Sequence, residues 1–257
     1  GVRPVRAVPS RSAAHDRTGT EQVRAARTVD RPSGLALLAR LVPGGTALRG
    51  RDDTVAARAG RLAASGRPVV GVALAADRAG KPTPDGYRLL TRAARLAGRL
   101  GLPLVTLVDT PGADPSPAAE ADGQAGAIGE AMAAVLGCPT ATVGVLTGEG
   151  GSGGALAAVC TDVLLAGPDS YCTALVPEGA AATLRLDVTQ VADRSGLRPR
   201  DLIALGLVDG ETPAPCSAAF DALLAAVVED EWSRTCDERL ARRNNRWSEG
   251  LTGRVPG

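Results

Sequence analysis

The chain has 257 residues, 44% of them hydrophobic and 22% charged, with a formal net charge of +1. That is enough apolar material for a substantial core, and too little charge imbalance for a general nucleic-acid or membrane-surface binder. Aromatic residues make up 2% (Tyr87, Tyr171, Phe220, Trp232 and Trp247), which leaves almost nothing for base-stacking platforms, and no run of about 18 apolar residues predicts a membrane span.

Residues 1–30 are rich in Arg, Ala, Ser and Thr without an apolar period and read as a flexible arm. Leu35, Leu37, Leu38 and Leu41 then form a short helical stripe, stopped at Pro43-Gly44-Gly45. Residues 69–75 read as a buried strand, 86–100 as a helix ended by Gly101, and 104–108 as a second strand running into Asp109-Thr110-Pro111-Gly112. A helix over 119–136 leads to a third strand over 140–146, which ends in the glycine run 148–154. A fourth helix opens at Ala155. Strands over 163–166 and 172–176 follow, and Pro177-Glu178-Gly179 starts another helix. This alternation predicts an α/β domain with a largely buried sheet. Residues 214–250 read as a helical segment with apolar spacing from Phe220 to Trp232. Its charges, Glu229-Asp230-Glu231 and Arg239, Arg242, Arg243 and Arg246, read as solvated faces; residues 251–257 are a tail.

Five cysteines (138, 160, 172, 216 and 236) contain no CxxC pair, which disfavours a zinc ribbon or a disulfide framework and points to the cytoplasm. His15 is the only histidine and lies in the arm, so histidine-base mechanisms and multi-histidine metal sites lose their material. Lys81 is the only lysine, and no Gly-Lys-Ser/Thr occurs, so a Walker phosphate loop is absent.

The glycine run fits three patterns. Gly148, Gly150 and Gly153 match GxGxxG, but without a ribose-binding acid at the usual place. Gly150, Ser152 and Gly154 match the GxSxG elbow, but no histidine follows Ser152 to complete a hydrolase triad. The third reading is mechanical: a glycine-rich strand-to-helix turn brings main-chain N–H groups close to a ligand, and these, with the helix N-terminus, favour developing negative charge. Such an oxyanion hole needs no histidine. A tight packing turn is the plainer alternative.

Six segments carry a family resemblance. Residues 146–156 (LTGEGGSGGAL) resemble the GEGGSGGAL segment of the acetyl-CoA carboxylase carboxyltransferase alpha subunit family. Residues 80–88 (GKPTPDGYR) are similar to its G-x-P-x-P-E-G-Y-R, and 108–113 (VDTPGA) to its I-D-T-P-G-A. Glu120 with Gly123-Gln124 resembles A-E-E-R-G-Q. Residues 177–184 resemble P-E-G-C-A-x-I-L, and Asp201-Leu202 with 205–209 resembles D-L-x-x-L-G-L-I-D. Arg242, Arg243 and Arg246 fall where the family's closing helix has arginines. The likeness covers roughly residues 31–250, in order.

The resemblance implies a crotonase-like superhelix of ββα units over residues 31–213, with a C-terminal helical extension. It implies a subunit working with a beta-type partner that carries the zinc ribbon, a biotin carboxyl carrier protein and a biotin carboxylase, as a hetero-oligomer such as α2β2. No metal, nucleic acid or membrane is implied for this chain. Carboxybiotin on the carrier would release CO2 and leave negative charge on its ureido oxygen. Its nitrogen would take a proton from the acyl-CoA α-carbon, and the enolate would attack CO2, giving a malonyl-CoA-type product. Both steps put charge on oxygen, where peptide N–H donors serve.

The catalytic residues so implied are Gly153, Gly154 and Ala155, with the amides of Gly154 and Ala155 as main donors. Gly150, Gly151 and Ser152 would shape the turn. Thr110, Pro111, Gly112 and Ala113 would form a neighbouring wall, and Glu178 and Gly179 a third side. Departures from the family pattern are the short stretch 75–79, Asp114 after D-T-P-G-A, Asp122 for arginine, and Arg185-Leu186-Asp187 for W-K-D. They remove cationic positions and leave open the acyl group, the carrier and the use of biotin. A biotin-independent malonyl-thioester decarboxylase subunit and a non-catalytic alpha-like partner are the alternatives.

Overall fold

The computed structural model describes residues 16–75 and 80–249. Their elements, in chain order, are α1 (Gly19–Ala26), α2 (Gly34–Leu41), β1 (Thr46–Leu48), β2 (Val55–Arg61), β3 (Pro68–Ala75), α3 (Pro84–Leu100), β4 (Leu104–Thr110), α4 (Pro117–Ala121), α5 (Gln124–Leu136), β5 (Thr142–Gly151), α6 (Ser152–Val159), β6 (Val163–Ala166), β7 (Tyr171–Thr173), α7 (Pro177–Leu184), α8 (Val188–Arg194), α9 (Pro199–Ala204), β8 (Gly210–Glu211), α10 (Ala218–Trp232) and α11 (Cys236–Glu249). The sheet runs in the order β1-β2-β3-β4-β5-β6-β8. The β1-β2-β3 edge is antiparallel, and β3 onward is parallel, with β7 added beside the end of β5.

Strands β3, β4 and β5 read as unbroken apolar runs because both faces are covered. Alternate residues serve the two sides. Val70, Val72 and Leu74 pack with Tyr87, Leu90 and Ala94 of α3, Val135 of α5 and Ala158 of α6. Val69, Ala73, Val105 and Val145 pack with Leu37, Leu38 and Leu41 of α2 and with Phe220, Leu224 and Val228 of α10. Parallel crossovers place the C-terminal ends of β4 and β5 side by side, with Thr110 in register with Gly150.

Several sequence expectations change. Residues 1–15, including His15, and the tail from 250 lie outside the described residues, as do 76–79 of the shortened stretch. From residue 18 the expected arm is instead ordered. Thr18 and Glu21 form a capping box for α1, and Val23 and Ala26 bury against Tyr171, Ala192 and Leu197. The expected 119–136 helix is two helices, parted at Gly123, whose φ of 83° only glycine adopts readily. The third strand runs on to Gly151, and the next helix starts at Ser152, so the glycine run is strand and helix with no loop between. The strand β2 had no clear signal in VAARAGR; it forms by pairing with β3 over its full length.

The closing arginines are not a solvated face. Arg243 is wholly buried. Its Nε and Nη2 donate to Asp162 at 2.7 and 3.0 Å, and its Nη1 donates to the carbonyls of Val135, Leu136 and Cys138 at 2.7–2.9 Å. These carbonyls lie at and just beyond the end of α5, where helix geometry leaves acceptors unpaired. Arg239 likewise reaches the Pro139 carbonyl at 2.9 Å. Arg243 thus ties the C-terminal helix to the sheet. Replacing Arg243 with Met strands the Asp162 charge, and we expect a loss of about 3–5 kcal/mol in urea unfolding. Arg95→Met, which breaks a pair with Glu130 exposed on both sides, costs under about 1 kcal/mol in the same measurement.

Candidate active site

Two chain segments meet at the ends of β4 and β5. A Cβ placed on Gly151 would strike the Pro111 carbonyl, and one on Gly154 would lie 2.6 Å from the Ala113 nitrogen and 3.0 Å from the Gly112 carbonyl carbon. Gly150 is equally confined, 2.8 Å from the Tyr171 carbonyl oxygen. Gly153, by contrast, faces open space. The glycines therefore divide into three that permit close approach and one that leaves an opening. Thr110 fixes the facing turn: its Oγ1 donates to the Gly112 carbonyl at 2.8 Å, and the Gly112 amide returns a bond at 3.2 Å. Gly112 itself has a φ of 139°.

Ser152 has a φ of 60°. The sharp backbone of a nucleophile elbow is thus present without a histidine near it among the described residues. The same residue begins α6. In other helices the fourth amide closes onto the capping carbonyl, as Leu37 does onto Ser33 and Asp221 onto Ser217. At α6, which begins at Ser152, the corresponding amide is that of Ala155, and Gly151 has no side chain to cap with. The helix end therefore presents the amides of Gly153 and Gly154 ahead of the helical ladder, whereas that of Ala155, expected from the sequence as a main donor, is the first to fall within it. Across from them the Gly112 amide is held by Thr110 and the Asp114 amide by the Pro82 carbonyl at 2.9 Å.

Glu178 and Gly179 sit in the first turn of α7, away from the 111–113 turn. Glu178 is half exposed and paired with Arg27, which also donates to Glu149 at 2.8 Å. Arg27 holds the Glu178 carboxyl below its usual range. Gly179 packs against Leu175. The third side is thus a salt-bridge network, which reaches the glycine run through Glu149. Tyr171 donates to Glu149 at 2.5 Å, and the Glu149 amide donates to Asp109 at 2.8 Å. Asp109 pairs with Arg31 at 3.0 Å; burial nevertheless holds its carboxyl above the ordinary value.

Sequence reasoning passed over Arg27 and Arg31, because both lay in or beside a segment without apolar period. It also passed over Tyr87, whose hydroxyl is where a Gly154 side chain would go. Its signal was the GKPTPDGYR segment itself. The departures have local roles: Asp114 accepts from Ser116 before α4, Asp122 from Arg88, and Asp187 caps α8, while Arg185 closes α7 with a φ of 54°. No group of acidic, histidine or cysteine side chains among the described residues could hold a metal ion, and none of their helices is long and apolar enough to cross a membrane.

Residues 10–230 match the family described as acetyl co-enzyme A carboxylase carboxyltransferase-like. The chain belongs to this family. The carboxyl transferase subunits beta/alpha of Parafrankia sp. (strain EAN1pec) are 41% identical over 235 residues, 83% of this chain and 38% of that relative. The alpha subunit of Acidiphilium cryptum (strain JF-5) is 35% identical over 233 residues, 81% of this chain and 73% of that one. The chain thus spans under two-fifths of the Parafrankia relative. Among solved structures, a Pseudomonas malonate decarboxylase hetero-tetramer in complex with coenzyme A aligns with a TM-score of 0.68 at 21% identity, over 82% of this chain and 92% of that one. Transcarboxylase 12S aligns with a TM-score of 0.66 at 20% identity, over 89% and 45%. These likenesses show the fold, which is the crotonase-like one.

The geometry at the junction makes a stability prediction. Gly154→Ala overpacks against backbone and costs about 1–3 kcal/mol. Gly153→Ala, in open space on a helix, is neutral or stabilising by up to about 1 kcal/mol in the same denaturation series.

Proposed function

We propose that the chain is the alpha-type part of an acyl-CoA carboxylase carboxyltransferase. It would receive carboxybiotin from a separate carrier protein and, with a beta-type partner, pass the carboxyl group to acyl-CoA. The observation that carries the reading is the pair of helix-start amides at Gly153 and Gly154, facing a second segment that approaches at glycines. Both half-reactions place negative charge on an oxygen, the carboxybiotin ureido oxygen and the thioester enolate oxygen. Amides fixed by strand and helix meet that charge without reorganising. The relatives named as carboxyl transferase subunits support the reaction class, and those whose names join beta and alpha support the partner.

An apolar strip supports the partner as well. Leu175, Leu184, Leu186 and Val188 are exposed on and beside α7 and α8, with Leu184 60% exposed. Contiguous exposed apolar surface of this kind marks a protein interface. A cytoplasmic site of action fits the free thiols of Cys138, Cys160, Cys172, Cys216 and Cys236.

The malonate decarboxylase structures favour a second reading on fold alone, in which the same amides hold the enolate after CO2 leaves a malonyl thioester. CO2 release by the complex without biotin, and no carboxyl transfer with it, selects that reading.

The test is carboxyl transfer from carboxybiotin to acetyl-CoA by the chain assembled with its beta-type partner. Gly153→Pro removes one amide at a position whose Cβ meets open space. We expect kcat to fall about 10²–10³-fold with the complex intact. Gly153→Ala keeps the amide and loses far less. Equal activity of both variants would set aside the amide assignment.

A further inference from the structure

Tyr87 is the one tyrosine whose hydroxyl has no hydrogen-bond partner among the described residues. The side chain is completely buried in the first turns of α3. Its oxygen occupies the place where a Gly154 Cβ would be, a place also bordered by the Ala113 nitrogen and the Gly112 carbonyl carbon, where the start of α6 meets the facing turn. Burial, with the charge of Asp52 added to it, raises the phenol pKa far above its ordinary value. The group is therefore a neutral O–H dipole. Asp52 cannot relax toward it, because both carboxylate oxygens are engaged by Thr54 and Thr83, in four bonds of 2.6–2.7 Å.

A buried hydroxyl without a partner is destabilising, and phenylalanine would fill the same ring volume without that cost. Polar groups left unsatisfied in a folded core mark a role other than packing. Here the dipole lies beside the amides that would meet developing negative charge, in surroundings of low polarity where a dipole acts strongly.

We propose that Tyr87 is a positioning residue of the oxyanion site: its hydroxyl lies against Gly154, beside the facing turn, and turns its proton toward the charge that forms on the substrate oxygen at the amides. It does not touch substrate. It acts through the amide layer, so its effect appears when charge appears, in the transition state rather than in binding. The inference rests on the carboxyl-transfer reading given above.

The experiment compares Tyr87→Phe with wild type in the complete complex, by thermal unfolding and by steady-state carboxyl transfer. The expected result has opposite signs. The melting temperature holds or rises, while kcat falls about tenfold with KM unchanged, equivalent to about 1.4 kcal/mol of barrier. A purely structural tyrosine would move stability and rate down together. Unchanged kcat overturns the proposal. So does a fall in melting temperature, which would mean that the hydroxyl has a structural partner. A wild-type complex that neither transfers a carboxyl group nor releases CO2 from a malonyl thioester removes the functional reading itself, and the proposal with it, because no charge then arises for the dipole to meet. Wild-type transfer with unimpaired Tyr87→Phe leaves the reading intact and removes the proposal alone.

Discussion

The structure depends on the close approach of two backbones, the turn after β4 and the start of α6, at a point where neither can carry a side chain. Gly151 and Gly154 are without Cβ atoms because the Pro111 carbonyl and the Ala113 nitrogen are already there. Parallel pairing of β4 with β5 brings the segments to the same end of the sheet. Ser152, with its left-handed torsion, then turns the chain directly from β5 into α6, whose first amides precede the helical ladder. Together these leave peptide N–H groups unpaired at one place. A chain with one histidine and one lysine can manage oxygen-centred charge in this way with main chain alone.

Around that point the molecule is braced from three directions. Asp52 holds the start of α3 through Thr83, which sets Tyr87 beneath Gly154. Arg31 and Asp109 hold the end of β4, with Glu149 attached to Asp109 by its amide. Arg27 brings α1 onto Glu149 and Glu178, so that the two carboxylates flanking the glycine run are balanced by an internal cation. Catalytic surfaces of this kind need support because an unpaired amide gains value only if it cannot turn away.

The parallel body of the sheet was legible because β3, β4 and β5 are short apolar runs broken by Gly and Pro. The close approach at the junction was legible too, since LTGEGGSGGAL and VDTPGA concentrate glycine at the ends of two neighbouring strands. Other features left no local trace. β2 is alanine and arginine with little pattern, and forms because β3 offers it an edge. α1 is short and mostly polar, and is held by Tyr171 and α8 from far along the chain. Arg243 reads as surface in its own helix, because only the folded chain brings the carbonyls at the end of α5 within its reach. Glu178 was placed at the site by its motif, yet its partner Arg27 lies in a segment that composition alone had set aside.

The central claim is that the amides beginning α6, with the turn that faces them, receive the charged oxygen of the substrate. The most direct measurement is a crystal structure of the chain with its beta-type partner and a bound enolate-mimicking acyl-CoA analogue or free biotin. The account predicts the anionic or ureido oxygen about 2.7–3.1 Å from the nitrogens of Gly153 or Gly154, with no side-chain cation in their place. An oxygen held elsewhere, with those amides bonded to the partner or to this chain's own carbonyls, would contradict it.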